Sequence, residues 1–119
     1  MSKFKVAVLI SGSGSNLQAI IDKFESDEAV ELSCVLSNKK DAYGLKRASE
    51  ANIDNFFVDH TNFPSREDFD RELIGTLEKY KPDLVVLAGF MRILSPLFVN
   101  KYSGTVSYTH LTLPTILLV

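Results

Sequence analysis

The chain has 119 residues, and its 13 lysine and arginine residues against 15 aspartate and glutamate residues give a formal net charge of −2. A hydrophobic content of 45% is that of an ordinary globular protein, and this length allows one domain at most. The near-neutral charge argues against a general nucleic-acid binder, and the N-terminal apolar run is too short for a signal sequence or a membrane span. Because Cys34 is the only cysteine, no internal disulfide is possible, and we expect a cytoplasmic protein without nucleic-acid or membrane partners.

The first elements in chain order are a strand, a glycine-rich loop and a helix. Residues 5–10 contain a short apolar run, from residue 6 to residue 10, which is typical of a strand buried on both faces. Residues 11–16 then read Ser-Gly-Ser-Gly-Ser-Asn, and Ser15 with Gln18 fits a capping box. An apolar stripe at helical spacing follows, made of Leu17, Ile20, Ile21 and Phe24. Together they predict the first half of a βαβ unit.

Strands and helices continue to alternate through most of the chain. The patterns predict further strands over residues 30–36, 55–58 and 84–88, and helices over residues 43–51 and 65–80. In the last of these helices Ser65 with Asp68 resembles a cap, and an apolar stripe is formed by Phe69, Leu73, Leu77 and Tyr80. Ser95 and Pro96 are typical of another helix start, with Gly104 at its end. This alternation predicts an α/β fold, a doubly wound parallel sheet.

Sheets of this kind bind ligands outside the carboxyl ends of their strands, where the strand order reverses. In the usual order the first and fourth strands are neighbours at that point. We therefore expect the loops at residues 11–16 and 89–94 to face one crevice, although they lie far apart in the sequence.

The loop at residues 11–16 has the composition of an anion-binding loop. Glycines allow close approach of the backbone, serines supply hydroxyl groups, and the following helix offers unpaired N–H groups. The alternative is a tight turn without a ligand. The dinucleotide fingerprint is incomplete because Leu17 occupies its third glycine position, and no Gly-Lys-Ser/Thr of a Walker loop follows. Hydride transfer and nucleoside triphosphate hydrolysis are therefore disfavoured.

Other candidate residues have two interpretations each. Four large apolar side chains in the loop at residues 89–94 either frame a flat heterocycle or pack against their own helix. Arg66, at a helix start, pairs with an anion or is simply solvated. Cys34 is expected to pack as a small hydrophobe, and His60 to be structural or exposed. Histidine, cysteine and carboxylate spacings suggest no metal site.

Taken together, these segments resemble the phosphoribosylglycinamide formyltransferase family, the folate-dependent enzymes of purine synthesis. The resemblance spans residues 1–104 and is carried by residues 7–20, 37–45, 65–73 and 82–96. It implies a Rossmann-like formyltransferase fold and transfer of a formyl group from 10-formyltetrahydrofolate to the amine of phosphoribosylglycinamide, on the route to IMP, without a metal. It also implies that Gly14, Ser15 and Asn16 bind the substrate phosphate, and that the formyl-folate is contacted by Arg66, Met91, Arg92, Ile93 and Leu94.

The resemblance stops where the family's catalytic motif should begin. The family supplies its oxyanion stabiliser and proton shuttle from Asn-x-His-Pro and from a later aspartate. His110 falls in register with that histidine, but Tyr108 and Leu111 replace the asparagine and the proline. We therefore assign no catalytic residue and expect an inactive fragment.

The end of the chain differs in composition from the rest. Residues 106–119 hold no charged side chain, and residues 106–115 match one reading frame of a transposon-end adapter used in sequencing libraries. We expect residues 1–104 to be the N-terminal part of a formyltransferase domain and residues 105–119 to be a non-native tail. The sheet is then truncated after its fourth strand and the helix that follows.

Two other functions remain open. One is another formyl-folate enzyme, either a formyltetrahydrofolate deformylase or a methionyl-tRNA formyltransferase. The opening Ser-Gly-Ser-Gly-Ser-Asn speaks against the tRNA enzyme, and the lack of a preceding regulatory domain speaks against the deformylase. The other is a non-catalytic phosphate-binding module.

Overall fold

The chain folds as an α/β protein in which one parallel sheet carries helices on both faces. The computed structural model describes residues 4–12, 15–59, 61, 63–90 and 115–118. In chain order its elements are β1 (Phe4–Ile10), α1 (Ser15–Phe24), β2 (Val30–Ser37), α2 (Tyr43–Glu50), β3 (Asp54–Phe57), α3 (Arg66–Glu78), β4 (Leu84–Leu87) and β5 (Thr115–Leu118). Strands β1 to β4 lie within one residue of the predicted bounds.

The strand order is β3-β2-β1-β4-β5, and every neighbouring pair is parallel. The chain runs outward from β1 through β2 to β3, then crosses back to β4 on the other side of β1. This reversal confirms the predicted doubly wound sheet and makes β1 and β4 neighbours.

Helices cover the sheet on both sides, as the apolar patterns predict. Alternate residues of β1 supply the two cores: Val8 and Ile10 pack with α1 and α2, whereas Ala7 and Leu9 pack with α3. The buried contacts on the α3 side come from Phe69, Leu73 and Leu77. Because both faces of β1 are covered, its run from residue 6 to residue 10 has no position for a polar side chain.

The start of α3 is set by local chemistry. The Oγ atom of Ser65 accepts a hydrogen bond of 3.2 Å from the backbone N–H of Asp68, which confirms the predicted cap. The helix ends at Glu78, two residues before the predicted end at Tyr80. Lys81 has a φ of 47°, a left-handed conformation that no helix can continue through, so Tyr80 lies in the turn that leads to β4.

The sheet has one strand more than the sequence predicts. Thr115–Leu118 pairs in parallel with Leu84–Leu87 and forms β5. The free edge of β4 offers unpaired backbone groups, and a short uncharged segment rich in leucine and isoleucine suits that ladder. The predicted helix between Ser95 and Gly104 lies outside the described residues.

Candidate functional site

The loops that follow β1 and β4 begin side by side. The backbone N–H of Ala88 donates a hydrogen bond of 2.9 Å to the carbonyl oxygen of Leu9. Since the strand order reverses between these two strands, the predicted crevice lies at the topological switch point of the sheet.

The first residues of the loop after β1 are fixed by the connection between β2 and α2. The Ser11 hydroxyl donates a hydrogen bond of 2.6 Å to Oδ1 of Asn38, and both side chains are buried. The Gly44 N–H donates a bond of 3.2 Å to the carbonyl oxygen of Gly12. Two consecutive loop residues are thus tied to the neighbouring connection.

The loop leads directly into α1, which begins at Ser15. Asn16 is exposed in the first turn, and that turn carries no acidic residue. The first N–H groups of a helix have no partner within it, and the helix dipole places partial positive charge there. This end of α1 therefore suits an anionic group. Gly14, the remaining residue predicted to bind substrate, lies outside the described residues.

Arg66 is the first residue of α3 and is exposed. Because α3 runs back from the end of β3, its start lies at the same edge of the sheet as the loops after β1 and β4. The first turn of α3 holds two acidic residues, Glu67 and Asp68, and Asp68 pairs with Arg71 at 2.9 Å. Arg66 itself forms no ion pair within the described ranges.

The loop after β4 is described only at its beginning. Gly89 has a φ of 69°, a conformation that favours glycine. Phe90 is half-buried and packs against the core cluster that contains Phe69, so this first apolar side chain packs against the protein itself. The predicted folate contacts Met91, Arg92, Ile93 and Leu94 lie outside the described residues, as do His60 and His110.

An open cleft of about 870 Å³ lies beside the loop after β1. Its lining includes Ser11, Gly12, Asn38, Tyr43 and Phe57. The residue pattern did not predict that Asn38 or Tyr43 would lie here. The available signal was the pair of short polar residues that ends the apolar run of β2, since polar groups at that position lie at the ligand edge of a parallel sheet.

Cys34 is buried in β2, as predicted. Burial, together with the charge of Asp54, raises the pKa of its thiol to about 12. The thiol is therefore protonated at neutral pH and packs as a small apolar group.

Two further properties concern the described residues as a whole. No group of three or more histidine, cysteine, aspartate or glutamate side chains among them is arranged to hold a metal ion. No helix in the same part of the chain combines the length and the apolar character that crossing a membrane requires.

Fold and site together define a doubly wound α/β protein whose first loop leads into an acid-free helix start at the switch point of the sheet. A family profile described as formyl transferase matches residues 4–115, and the chain belongs to this family. Phosphoribosylglycinamide formyltransferase of Escherichia coli is 52% identical over 106 residues, which are 88% of this chain and 50% of that protein. The human trifunctional purine biosynthetic protein adenosine-3 is 44% identical over 109 residues, or 91% of this chain and 11% of that protein.

Solved structures show the same relationship. Phosphoribosylglycinamide formyltransferase from Coxiella burnetii superposes with a TM-score of 0.82 at 50% identity, covering 87% of this chain and 49% of the other. The Brucella melitensis structure superposes with a TM-score of 0.82 at 35% identity. The chain thus spans about half the length of the bacterial relatives it matches.

Proposed function

We propose that this chain is the N-terminal half of an enzyme that transfers a formyl group from 10-formyltetrahydrofolate to the amine of phosphoribosylglycinamide in purine synthesis. The observation that carries the proposal is the loop after β1, which leads into an acid-free helix start at the switch point of the sheet. The 52% identity to the Escherichia coli relative of that name supports the choice of reaction.

In this proposal the phosphate of phosphoribosylglycinamide is bound by Gly14, Ser15 and Asn16. Asn16→Asp places a negative charge in the first turn of α1, where it repels the phosphate. Titration calorimetry with phosphoribosylglycinamide should show binding weakened by at least about tenfold, a charge effect of the size expected at a helix end. Asn52→Asp is the matched control, because Asn52 is exposed at the opposite edge of the sheet. Equal affinity in both variants would contradict the assignment.

The formyl donor is assigned to Arg66 and to the loop that holds Met91, Arg92, Ile93 and Leu94. Folates carry carboxylates, and a charge-assisted hydrogen bond to one of them suits an exposed arginine that forms no ion pair among the described residues. Arg66→Ala should weaken binding of 10-formyltetrahydrofolate by about tenfold. Arg71→Ala is the control, because it removes an exposed ion pair of the same helix that contributes little.

Formyl transfer needs more than binding. The amine attacks the formyl carbon, a tetrahedral intermediate forms, and its oxyanion and moving proton each need a protein group. The sequence places neither the asparagine of the family motif nor the later aspartate in this chain. We therefore expect purified chain to bind both small molecules without measurable formyl transfer. Turnover by residues 1–119 would overturn this part of the proposal.

The substrates of this reaction are small and water-soluble, so we place the enzyme in the cytoplasm, with no nucleic-acid or membrane partner. Fractionation of the source cells, followed by detection of the chain, tests the location. Recovery in the membrane fraction would contradict it.

A further inference from the structure

We propose that Asn38 is a positioning residue, which holds the loop after β1 in the conformation that receives the substrate phosphate. This inference rests on the proposed function. The inference goes beyond the proposed function because it assigns a role to a residue of the β2–α2 connection. That connection supplies none of the residues proposed above to bind phosphate or folate.

Ser11 and Asn38 are in direct contact through their side chains. The Ser11 hydroxyl and Asn38 Oδ1 are 2.6 Å apart, at the short end of the range for O–H···O bonds. The two residues are only 3% and 4% exposed. A hydrogen bond in such surroundings is costly to break, since water cannot replace the lost partner.

Asn38 is itself held in place by bonds of its neighbours. The neighbouring Ser37 hydroxyl accepts a bond of 3.0 Å from the Lys39 N–H and donates one of 2.9 Å to the Lys39 carbonyl, so a tight turn closes around Asn38. The Ser37 carbonyl also accepts a bond of 2.8 Å from the N–H of Val58. Asn38 is therefore a fixed point to which the loop is attached.

Gly12 lies in the loop after β1, and a glycine gives a loop more conformational freedom than another residue would. Binding an anion through backbone N–H groups requires that freedom to be lost. The bond from Ser11 to Asn38 and the bond from Gly44 to Gly12 restrict it before the ligand arrives. Preorganisation of this kind raises affinity without any contact to the ligand.

The test compares Ser11→Ala, Asn38→Ala and the double variant with the unchanged chain. We expect each single variant to weaken phosphoribosylglycinamide binding by about tenfold, and the double variant to lose less than the sum of the two, because both changes remove the bond between Ser11 and Asn38. Ser33→Ala is the matched control. It also deletes a buried serine hydroxyl, but this serine lies within β2, away from the loop. The affinity of Ser33→Ala for phosphoribosylglycinamide should equal that of the unchanged chain, whatever the effect of the substitution on stability. Additive losses in the double variant, or loss of stability with unchanged affinity, would overturn the inference.

A measurement without ligand separates this inference from the proposed function. Backbone ¹⁵N relaxation of residues 11–16 should show order parameters that fall from about 0.85 toward about 0.6 in Asn38→Ala but not in Ser33→Ala. If the unchanged chain fails to bind phosphoribosylglycinamide, the proposed function fails, and the relaxation data alone decide the positioning role. Unchanged order parameters in Asn38→Ala would overturn it.

Discussion

The hydroxyl of Tyr80, just beyond α3, donates a hydrogen bond of 2.8 Å to Oδ2 of Asp54 at the start of β3. The Tyr80 ring also lies against Phe56, with ring centroids 5.9 Å apart. These contacts tie the end of α3 to the outermost strand on that side of the sheet. They lie at the edge of the sheet opposite the loops that follow β1 and β4.

This bond makes stability depend on pH in the alkaline range. Burial, and then the bond to Asp54, raises the pKa of Tyr80 from 10.0 to about 12. A group whose pKa is raised by folding stabilises the protein below its unfolded pKa and loses that effect as pH rises through its folded pKa. The stability difference between the unchanged chain and Tyr80→Phe should therefore shrink between about pH 10 and pH 12 in urea titrations. A difference that stays constant across this range would contradict the assignment.

The Cys34 thiol should resist modification in the folded chain. Its pKa of about 12 leaves almost no thiolate at pH 8, and the side chain is buried. We expect a chromogenic disulfide reagent to react only as the chain unfolds in urea, with a signal that follows the unfolding transition. Complete labelling within seconds in native buffer would show that the thiol is accessible.

Phe69 should contribute more to stability than any exposed aromatic residue. It is fully buried against Leu73 and lies edge-on to Phe63, with centroids 6.0 Å apart. Phe69→Ala is expected to lower the free energy of unfolding by about 3–5 kcal/mol. Phe57→Ala, at a side chain that is 40% exposed, should cost about 1 kcal/mol or less. Urea unfolding measures both, and similar losses would contradict the burial pattern.

The cap of α3 should contribute less to the free energy of unfolding than the buried Phe69 side chain does. Ser65→Ala removes the acceptor for the Asp68 N–H and should cost about 1 kcal/mol. Ser49→Ala is the comparison, because Ser49 is exposed inside α2 and alanine favours a helix interior. Only the first variant should lower the urea midpoint.

The origin of residues 105–119 can be tested by sequencing the gene rather than by measurements on the protein. We propose that this tail is translated adapter, and that β5 forms because its uncharged residues fit the edge of β4. Sequencing the locus from source DNA should read on from the codon for Gly104 into Asn-x-His-Pro. A genomic sequence that encodes Tyr108 and His110 at this point would refute the proposal.

Features set by neighbouring residues were predictable from the sequence. The buried run of β1 and the Ser65 cap are confirmed because each depends on a few adjacent residues. The end of α3 was placed too late because Tyr80 continues the apolar stripe, whereas the backbone at Lys81 ends the helix. The position of the loops after β1 and β4 was predicted from the rule that such sheets bind ligands where the strand order reverses.

The contact between Ser11 and Asn38 could not be predicted in the same way. It joins residues 27 apart, each of which directly follows the last paired residue of its strand, so it depends on the register between β1 and β2. That register shifts between Val6 and Ala7, and no local pattern predicts the shift. The loop after β1 can therefore be located from the sequence, while the groups that hold it in shape require the structure.

The central place of β1 has a consequence for the order in which the molecule opens. β1 pairs with strands on both sides and supplies side chains to both cores, whereas β3 has one neighbour and two exposed phenylalanines. Partial unfolding begins where contacts are few, so β3 should open early and β1 last. The loop proposed to bind substrate extends from this most persistent strand, so the end of the loop that is attached to β1 should stay in place while the rim of the sheet opens.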